Sequence, residues 1–370
     1  MKSFFLTILA LYLAVNVYTA VRIYQFMPAN LWIRITVMAI LVLGFVSLIV
    51  FFRFGETMPV ETAGFFYHFG TSWMIAFLYV FILVFLVDLF RIINHFAHII
   101  DKEAVHGLFR HNALTSVIGL GIVALILLFG NLQYHNKKRS HITIKTDKIE
   151  KPIRIVGISD LHLGYTISKK ELSKWVEMIN AEKPDMVIIG GDLIDNQLRP
   201  VLQHSLDQEL QKIKAPLGIY GCTGNHEYIS GIKNSINFYH RAGIMLLRDS
   251  VFQMNGLTIV GREDHSYKNR KTLSELTKDI DKQTFSVLLS HQPYNLDETV
   301  QESIDFQFSG HTHRGQVFPI SLIADKIFEL SQGYLQKGNT HFYVSSGLGI
   351  WGGKFRIGTQ SEYLVLDLVN

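Results

Sequence analysis

IRIVGISDLHLG (residues 153–164) and MVIIGGDLID (186–195) share one design, a short apolar run that stops abruptly on a carboxylate. Runs this short, rich in Ile and Val and bounded by glycine, predict a buried strand in each. Between them, SKKELSKWVEMINAE (168–182) predicts a helix, with Ser168 as N-cap and Glu171 completing a capping box. Farther along, LGIYG (217–221), LTIVG (257–261), FSVLLS (285–290), FYVSS (342–346) and EYLVLDLV (362–369) add strands. The stretches around 200–213, 232–242 and 270–281 predict helices. Strands alternating with helices specify an α/β layered domain.

Chemistry collects where the strands end. The first runs into Asp160-Leu161-His162, the second into Gly191-Asp192-Leu193-Ile194-Asp195, and the third, after Cys222 and Thr223, into Gly224-Asn225-His226-Glu227. FSVLLS ends at His291, and DFQFSG (305–310) ends at His311 and His313. Ligands of open α/β sheets bind beyond the carboxyl ends of the strands, where such loops converge. The inventory is oxygen and imidazole without thiolate, which suits Mn²⁺, Fe or Zn²⁺ and does not suggest a structural cysteine-type zinc site. Seven ligands exceed one tetrahedral ion and suit two ions that share a carboxylate. Paired ions ~3.5–4 Å apart grip both the attacking and the leaving oxygen of an in-line phosphoryl displacement.

The ordered set DLHLG, GGDLID, GNHE, SHQP and GHTH resembles the calcineurin-like metallophosphoesterase superfamily over roughly residues 150–370. TGNHEYISG and GLGIWGGKFRIG (347–358) further resemble a bacterial, membrane-associated or secreted subgroup whose members often carry N-terminal spans. The resemblance implies a four-layer αββα sandwich and two divalent ions, Mn, Zn or Fe. Asp160, His162 and His313 would bind the first ion, Asp192 would bridge, and Asn225, His291 and His311 would complete the second site. His226 would serve as general acid or stabilise the transition state, and the nucleophile would be water or hydroxide between the metals. Phosphomonoesters, phosphodiesters and pyrophosphates all fall within the family's range. Arg314 stands where related sequences often have a small residue, and it is expected, with Arg356, to contact the substrate phosphate. Asp195 is expected to orient a neighbouring ligand or loop. Asp264 and His265 are expected beside the site or in an exposed turn.

The front of the chain is different material. Residues 1–140 hold ten Lys/Arg and five Asp/Glu, whereas 141–370 hold 25 and 26. With no basic excess in the rear domain, nucleic acid is not an expected partner. One cysteine, Cys222, excludes an internal disulfide framework. Apolar runs predict four membrane spans, at about 3–21, 33–52, 69–89 and 113–131, in a transmembrane region 1–136. A linker, 137–150, follows, and then the catalytic domain, 151–370. A signal peptide at the start is disfavoured, because Tyr18 and Thr19 before Ala20 make a poor cleavage site.

Lys2, Arg53, Lys137, Lys138 and Arg139 fall on one side of the bilayer; Arg22, Arg34, Arg91, Lys102 and Arg110 fall on the other. The positive-inside count is therefore tied, and the resemblance to secreted relatives tips the expectation to an extracytoplasmic domain. His95, His98, His106 and His111 in the loop before the last span read as interfacial. A chain held at the bilayer suits a lipid-linked or envelope-derived phosphate ester. The alternative is a non-catalytic membrane sensor or transporter-associated protein, whose mark would be a damaged ligand set.

Overall fold

The computed structural model describes residues 2–254 and 256–370, the side chains of residues 2–6, 8 and 9 excepted. It divides into two compact units, Met1–Phe129 and Gly130–Asn370.

The first unit is helical. Among the described residues three helices are long and apolar enough to cross a membrane: Leu31–Phe54, Val60–Ala97 and Ala113–His135, the last crossing into the second unit. The expected first span lies within helix Lys2–Phe26, whose side chains are described only in part. Small residues let the spans approach. A Cβ on Gly44 would run into the Trp73 ring, and one on Gly70 into Leu48. Asp88 sits at the end of the expected span 69–89 and is buried. Arg22 Nε lies 2.6 Å from its carboxylate, Arg91 Nη1 lies 3.1 Å away, and the Tyr18 hydroxyl donates to it at 2.6 Å. A carboxylate among apolar helices persists only when paired in this way. The loop histidines do not converge: His111 Nδ1 meets Arg34 at 2.7 Å, whereas His106 Nε2 meets Arg110 at 3.0 Å.

Among the described residues the second unit contains twelve strands: β1 (Lys138–Lys145), β2 (Ile153–Ile158), β3 (Met186–Ile189), β4 (Ile219–Gly221), β5 (Met245–Leu246), β6 (Ser250–Met254), β7 (Leu257–Gly261), β8 (Phe285–Leu289), β9 (Phe306–Ser309), β10 (Gly333–Lys337), β11 (Thr340–Val344) and β12 (Glu362–Val369). They make two six-stranded mixed sheets, ordered β1-β12-β2-β3-β4-β5 and β10-β11-β9-β8-β7-β6. The putting of Ile155 and Ile188 from one sheet against Val287, Phe306 and Phe308 from the other forms one apolar cluster. The opposite face of β2 and β3, with Val156, Ile158 and Val187, meets Leu172, Trp175 and Ile179 of helix Lys169–Ala181. That helix starts as its sequence predicts, the Ser168 hydroxyl accepting from the Glu171 amide at 3.3 Å. In both sheets the central neighbours β2, β3 and β4, and β7, β8 and β9, run parallel. Their carboxyl ends therefore open on a common edge.

The segment expected as a linker contains β1, which pairs in parallel with β12 from Lys138↔Glu362 to Lys145↔Val369. Its main chain completes a sheet edge while most of its side chains stay in water. Its composition therefore reads as loop although its backbone is strand.

Candidate metal centre

Five of the seven expected ligands sit in left-handed backbone: Asp160 (φ 52°), His162 (47°), Asp192 (50°), His311 (71°) and His313 (45°). Such geometry costs a non-glycine residue about 1–3 kcal/mol and persists only where surroundings impose it. Here the strand-end loops impose it on each other. The Asp160 amide donates to Gly191 O at 3.1 Å, the His162 amide to Asp192 O at 3.0 Å, and the Gly310 amide to His291 O at 2.9 Å. Two glycines admit the close approach. A Cβ on Gly224 would overlap the Asp192 carboxylate, and one on Gly310 the Asp160 carboxylate.

The side chains fall into two sets. In one, His162 Nε2 and His313 Nε2 stand 3.0 Å apart, with Asp160 Oδ1 at 3.9 and 3.4 Å from them. In the other, His291 Nε2 lies 3.2 Å from Asp192 Oδ2, with His311 completing the group. The same Asp192 Oδ2 is 3.8 Å from His162 Nε2, so one carboxylate oxygen faces both sets. Asn225 Oδ1 lies 3.0 Å from His311 Nδ1, beside the second set. Asp160, His162, Asp192 and His291 are all buried.

This donor set fits divalent cations. Two imidazole nitrogens pointed at each other and at a carboxylate are poor hydrogen-bond partners and good ligands. The His291 ring shows the fit most directly. Its Nδ1–H donates to Gly190 O at 2.7 Å, leaving the buried Nε2 without a hydrogen bond and aimed at Asp192.

Residues 153–315 match the model of the calcineurin-like phosphoesterase family. An uncharacterized metallophosphoesterase of Helicobacter pylori (strain J99) is 32% identical over 274 residues, 70% of this chain and 72% of that protein. A zebrafish (Danio rerio) transmembrane protein with metallophosphoesterase domain is 30% identical over 312 residues, 76% of this chain and 69% of its own length. The chain belongs to the metallophosphoesterase family. Among the described residues it has three helices long and apolar enough to cross a membrane, and the zebrafish relative is named as a transmembrane protein.

This metallophosphoesterase keeps His226 beside both ligand sets. The His226 amide donates to Asp192 Oδ1 at 2.8 Å, and its ring meets the His162 ring edge-on at 4.6 Å between centroids. Its Nδ1 lies 3.3 Å from Asp195 Oδ1, which also lies 3.6 Å from His162 Nδ1. One buried carboxylate thus sits behind two rings. Burial alone would lower the His226 pKa. The Asp195 bond and the charge of Asp192 outweigh it and raise the ring to about 9. Burial likewise pushes against a proton on His291, yet Asp192 raises it to about 10. Burial and the neighbouring His291 lower His311 to about 4. Protons on His226 and His291 thus offset the nearby carboxylates, and a cation at His291 would have to displace the one on that ring.

The structure gives both expected substrate arginines protein partners. Arg356, expected at the substrate, is fully buried and faces backbone. Its Nη1 donates to His313 O at 3.0 Å, while its Nη2 donates to Ser346 O at 2.6 Å and Gly349 O at 3.0 Å. It clamps the loop behind His313. Arg314 instead reaches Asp325, with two contacts at 3.2 Å, and is committed to an ion pair at the surface. Asp264 is buried and folds back on its own turn, accepting from the Ser266 amide at 2.8 Å, and its amide donates to Thr223 Oγ1 at 3.0 Å.

Sequence reasoning passed over Glu227. It is fully buried, and its carboxylate accepts from the amides of Gly224 (2.6 Å), Asp192 (3.1 Å) and Ile194 (3.2 Å). It therefore ties the Asp192 loop to the Asn225–His226 loop. Burial raises its pKa to about 7, helped by the charge of Asp192 and opposed by the amide bonds. The available signal was its place three residues after Gly224, the reach of a capping box.

Proposed function

We propose that this chain is a membrane-anchored phosphohydrolase that uses two divalent ions to cleave a phosphomonoester, phosphodiester or pyrophosphate bond. The carrying observation is that Asp192 Oδ2 faces His291 of one ligand set and His162 of the other. Asp160, His162 and His313 would hold one ion, and Asn225, His291 and His311 the other, with Asp192 between. When bound, the ions polarise the phosphoryl group and activate water at neutral pH. The protein's own chemistry centres on His226. With its Nδ1 edge on Asp195, its Nε2 edge is left to carry a proton to the leaving oxygen, and the Asp195 charge keeps that proton in place until it is needed. The same reading includes a four-layer αββα catalytic domain, a fourth span within Lys2–Phe26, and an extracytoplasmic site.

The full chain in lipid nanodiscs should hydrolyse a water-soluble aryl phosphate ester when Mn²⁺ is added and stop when it is chelated. Asp192→Asn should lose bound metal from both sites. His226→Ala should keep its metal and lose about 10²–10⁴-fold in kcat, the usual contribution of a general acid. Turnover unaffected by chelation, or a His226→Ala enzyme at full kcat, would refute the assignment.

A further inference from the structure

Helix Ile320–Ile327, which begins seven residues after His313, is inside out for a helix on a water-soluble surface. The side it buries carries Ser321 and Ala324. The side it exposes carries Ile320 (41% exposed), Leu322 (56%), Ile323 (57%) and Ile327 (62%), with Phe318 (50%) just before it. Soluble helices turn their large aliphatic residues inward, and a contiguous exposed patch of this kind marks an interaction surface.

The fold indicates what covers it. Val317 bridges Ile357, and the Phe318 amide donates to Ile357 O at 2.7 Å. The adjacent Arg356 amide donates to Gly130 O at 2.9 Å, and a Cβ on Gly130 would strike Ile357. Gly130 belongs to the membrane-capable helix Ala113–His135, and Leu132 on the same turn is 60% exposed. The apolar patch therefore connects, through one β-bridge, to the end of a span whose neighbouring side chain already requires hydrocarbon. The patch also abuts the metal centre. Helix backbone at Ile320 touches the turn at Gly315, and Asp325 on the helix pairs with Arg314, next to His313.

We infer that helix Ile320–Ile327 lies in the surface of the membrane that the chain spans, its aliphatic face about 5–10 Å into the headgroup–acyl boundary. Lys326, exposed on the same helix, extends its ammonium toward the phosphates. The mouth of the metal centre then opens at the bilayer. Taken together with the phosphohydrolase reading above, on which this part rests, the substrate is a phosphate ester with a lipid tail, presented from the same leaflet. The docking itself stands without that reading.

The test uses the full chain in nanodiscs that hold one copy. An environment-sensitive fluorophore is placed at Ile323→Cys, at Ile327→Cys, and at Lys268→Cys as an exposed control. Buried Cys222 stays unlabelled in a folded chain, which screens out misfolded variants. Lipids carrying a spin label just below the headgroup should extinguish most of the emission at 323 and 327 and little at 268. Equal quenching at all three positions overturns the proposal. So does a patch shielded only when two chains share a disc and untouched by the spin label, because the partner is then a second copy. In a separate arm, Ile323→Lys/Ile327→Lys should slow hydrolysis of a diacyl phosphate ester by about tenfold or more while sparing a short aryl phosphate. Lipid quenching without hydrolysis of any ester keeps the docking and removes the phosphohydrolase reading. Aryl ester hydrolysis without lipid quenching does the reverse.

Discussion

Replacing Arg356 by Met removes a fork of donors and leaves its acceptors behind. The carbonyls of His313, Ser346 and Gly349 are main chain and cannot be mutated away, so they lose three charge-assisted bonds together. Bonds to a charged donor contribute about 1.5–3 kcal/mol each. Against that loss, Met no longer needs a guanidinium dehydrated. Burial lowers the Arg356 pKa from 12.5 to about 10, a cost on the order of 3 kcal/mol at 1.36 kcal/mol per unit. The balance is a destabilisation centred on about 4 kcal/mol, or roughly 8–16 °C in Tm for a unit the size of Gly130–Asn370. The chain supplies its own assay. Cys222 is its single cysteine and fully buried, so a thiol-reactive dye reports unfolding of this unit in detergent or nanodisc. Arg356→Lys should fall between the two, because an ammonium retains the charge without the fork. A Met variant melting within about 2 °C of the parent would refute the claim that the guanidinium clamps this loop.

Gly224→Ala should lose metal from both sets, since the new Cβ overlaps the Asp192 carboxylate; metal content per chain after dialysis checks it, and full occupancy contradicts it. Phe308→Ala, in the cluster between the sheets, should cost about 3–5 kcal/mol in the same thiol melt, and under ~1 would mean the site collapses without a cavity. Asp367 carries a pH signature. Arg154 donates to it at 2.8 and 2.9 Å and His141 Nε2 lies at 2.8 Å, and these bonds outweigh burial to hold its carboxyl at about 2. Because the folded pKa lies below the unfolded value of ~3.9, its contribution is complete above about pH 4 and disappears as pH falls toward about 2. Solvent screening of this partly exposed pair limits it to ~1 kcal/mol. Asp367→Asn should therefore be less stable than the parent at pH 7 and indistinguishable near pH 2; an equal gap at both values would exclude the ion pair as its cause.

The strands and the ligand loops were legible because both follow local rules. Val187, Ile188 and Ile189 are apolar on every position, as a strand covered on both faces requires, and each ligand run begins where such a segment stops. The segment 200–213 was only half legible. It forms two short helices, Arg199–Gln203 and Leu206–Leu210, interrupted where Ser205 turns left-handed at φ 51°. Arg356 shows a different limit. A guanidinium aimed at carbonyls and one aimed at phosphate are the same letter, and only the burial of its loop distinguishes them. Asp88 escaped for the opposite reason, since it lies at the end of the expected span 69–89, which length and apolarity alone identify. Nor does sequence encode the left-handed backbone of the ligands directly, although Asp and His tolerate it better than β-branched residues.

That strain bears on how the centre is held. Five candidate ligands in left-handed backbone need surroundings stiff enough to impose their geometry, and the stiffness at His313 does not come from its own loop. It passes through Arg356, whose guanidinium holds His313 O and whose amide holds Gly130 O. The last turns of the Ala113–His135 helix reinforce the same segment. Asn131 Nδ2 donates to Lys354 O at 2.9 Å, Lys354 Nζ lies 2.6 Å from Glu171, and the Tyr134 hydroxyl donates to Glu171 at 2.5 Å. A chain begun at residue 141 would keep every candidate ligand and lose the supports from Gly130, Asn131 and Tyr134. Two hydrogen-bonded steps separate the end of a membrane-capable helix from His313, so residues 130–136 belong to the phosphoesterase unit in mechanical terms, however membrane-like their composition.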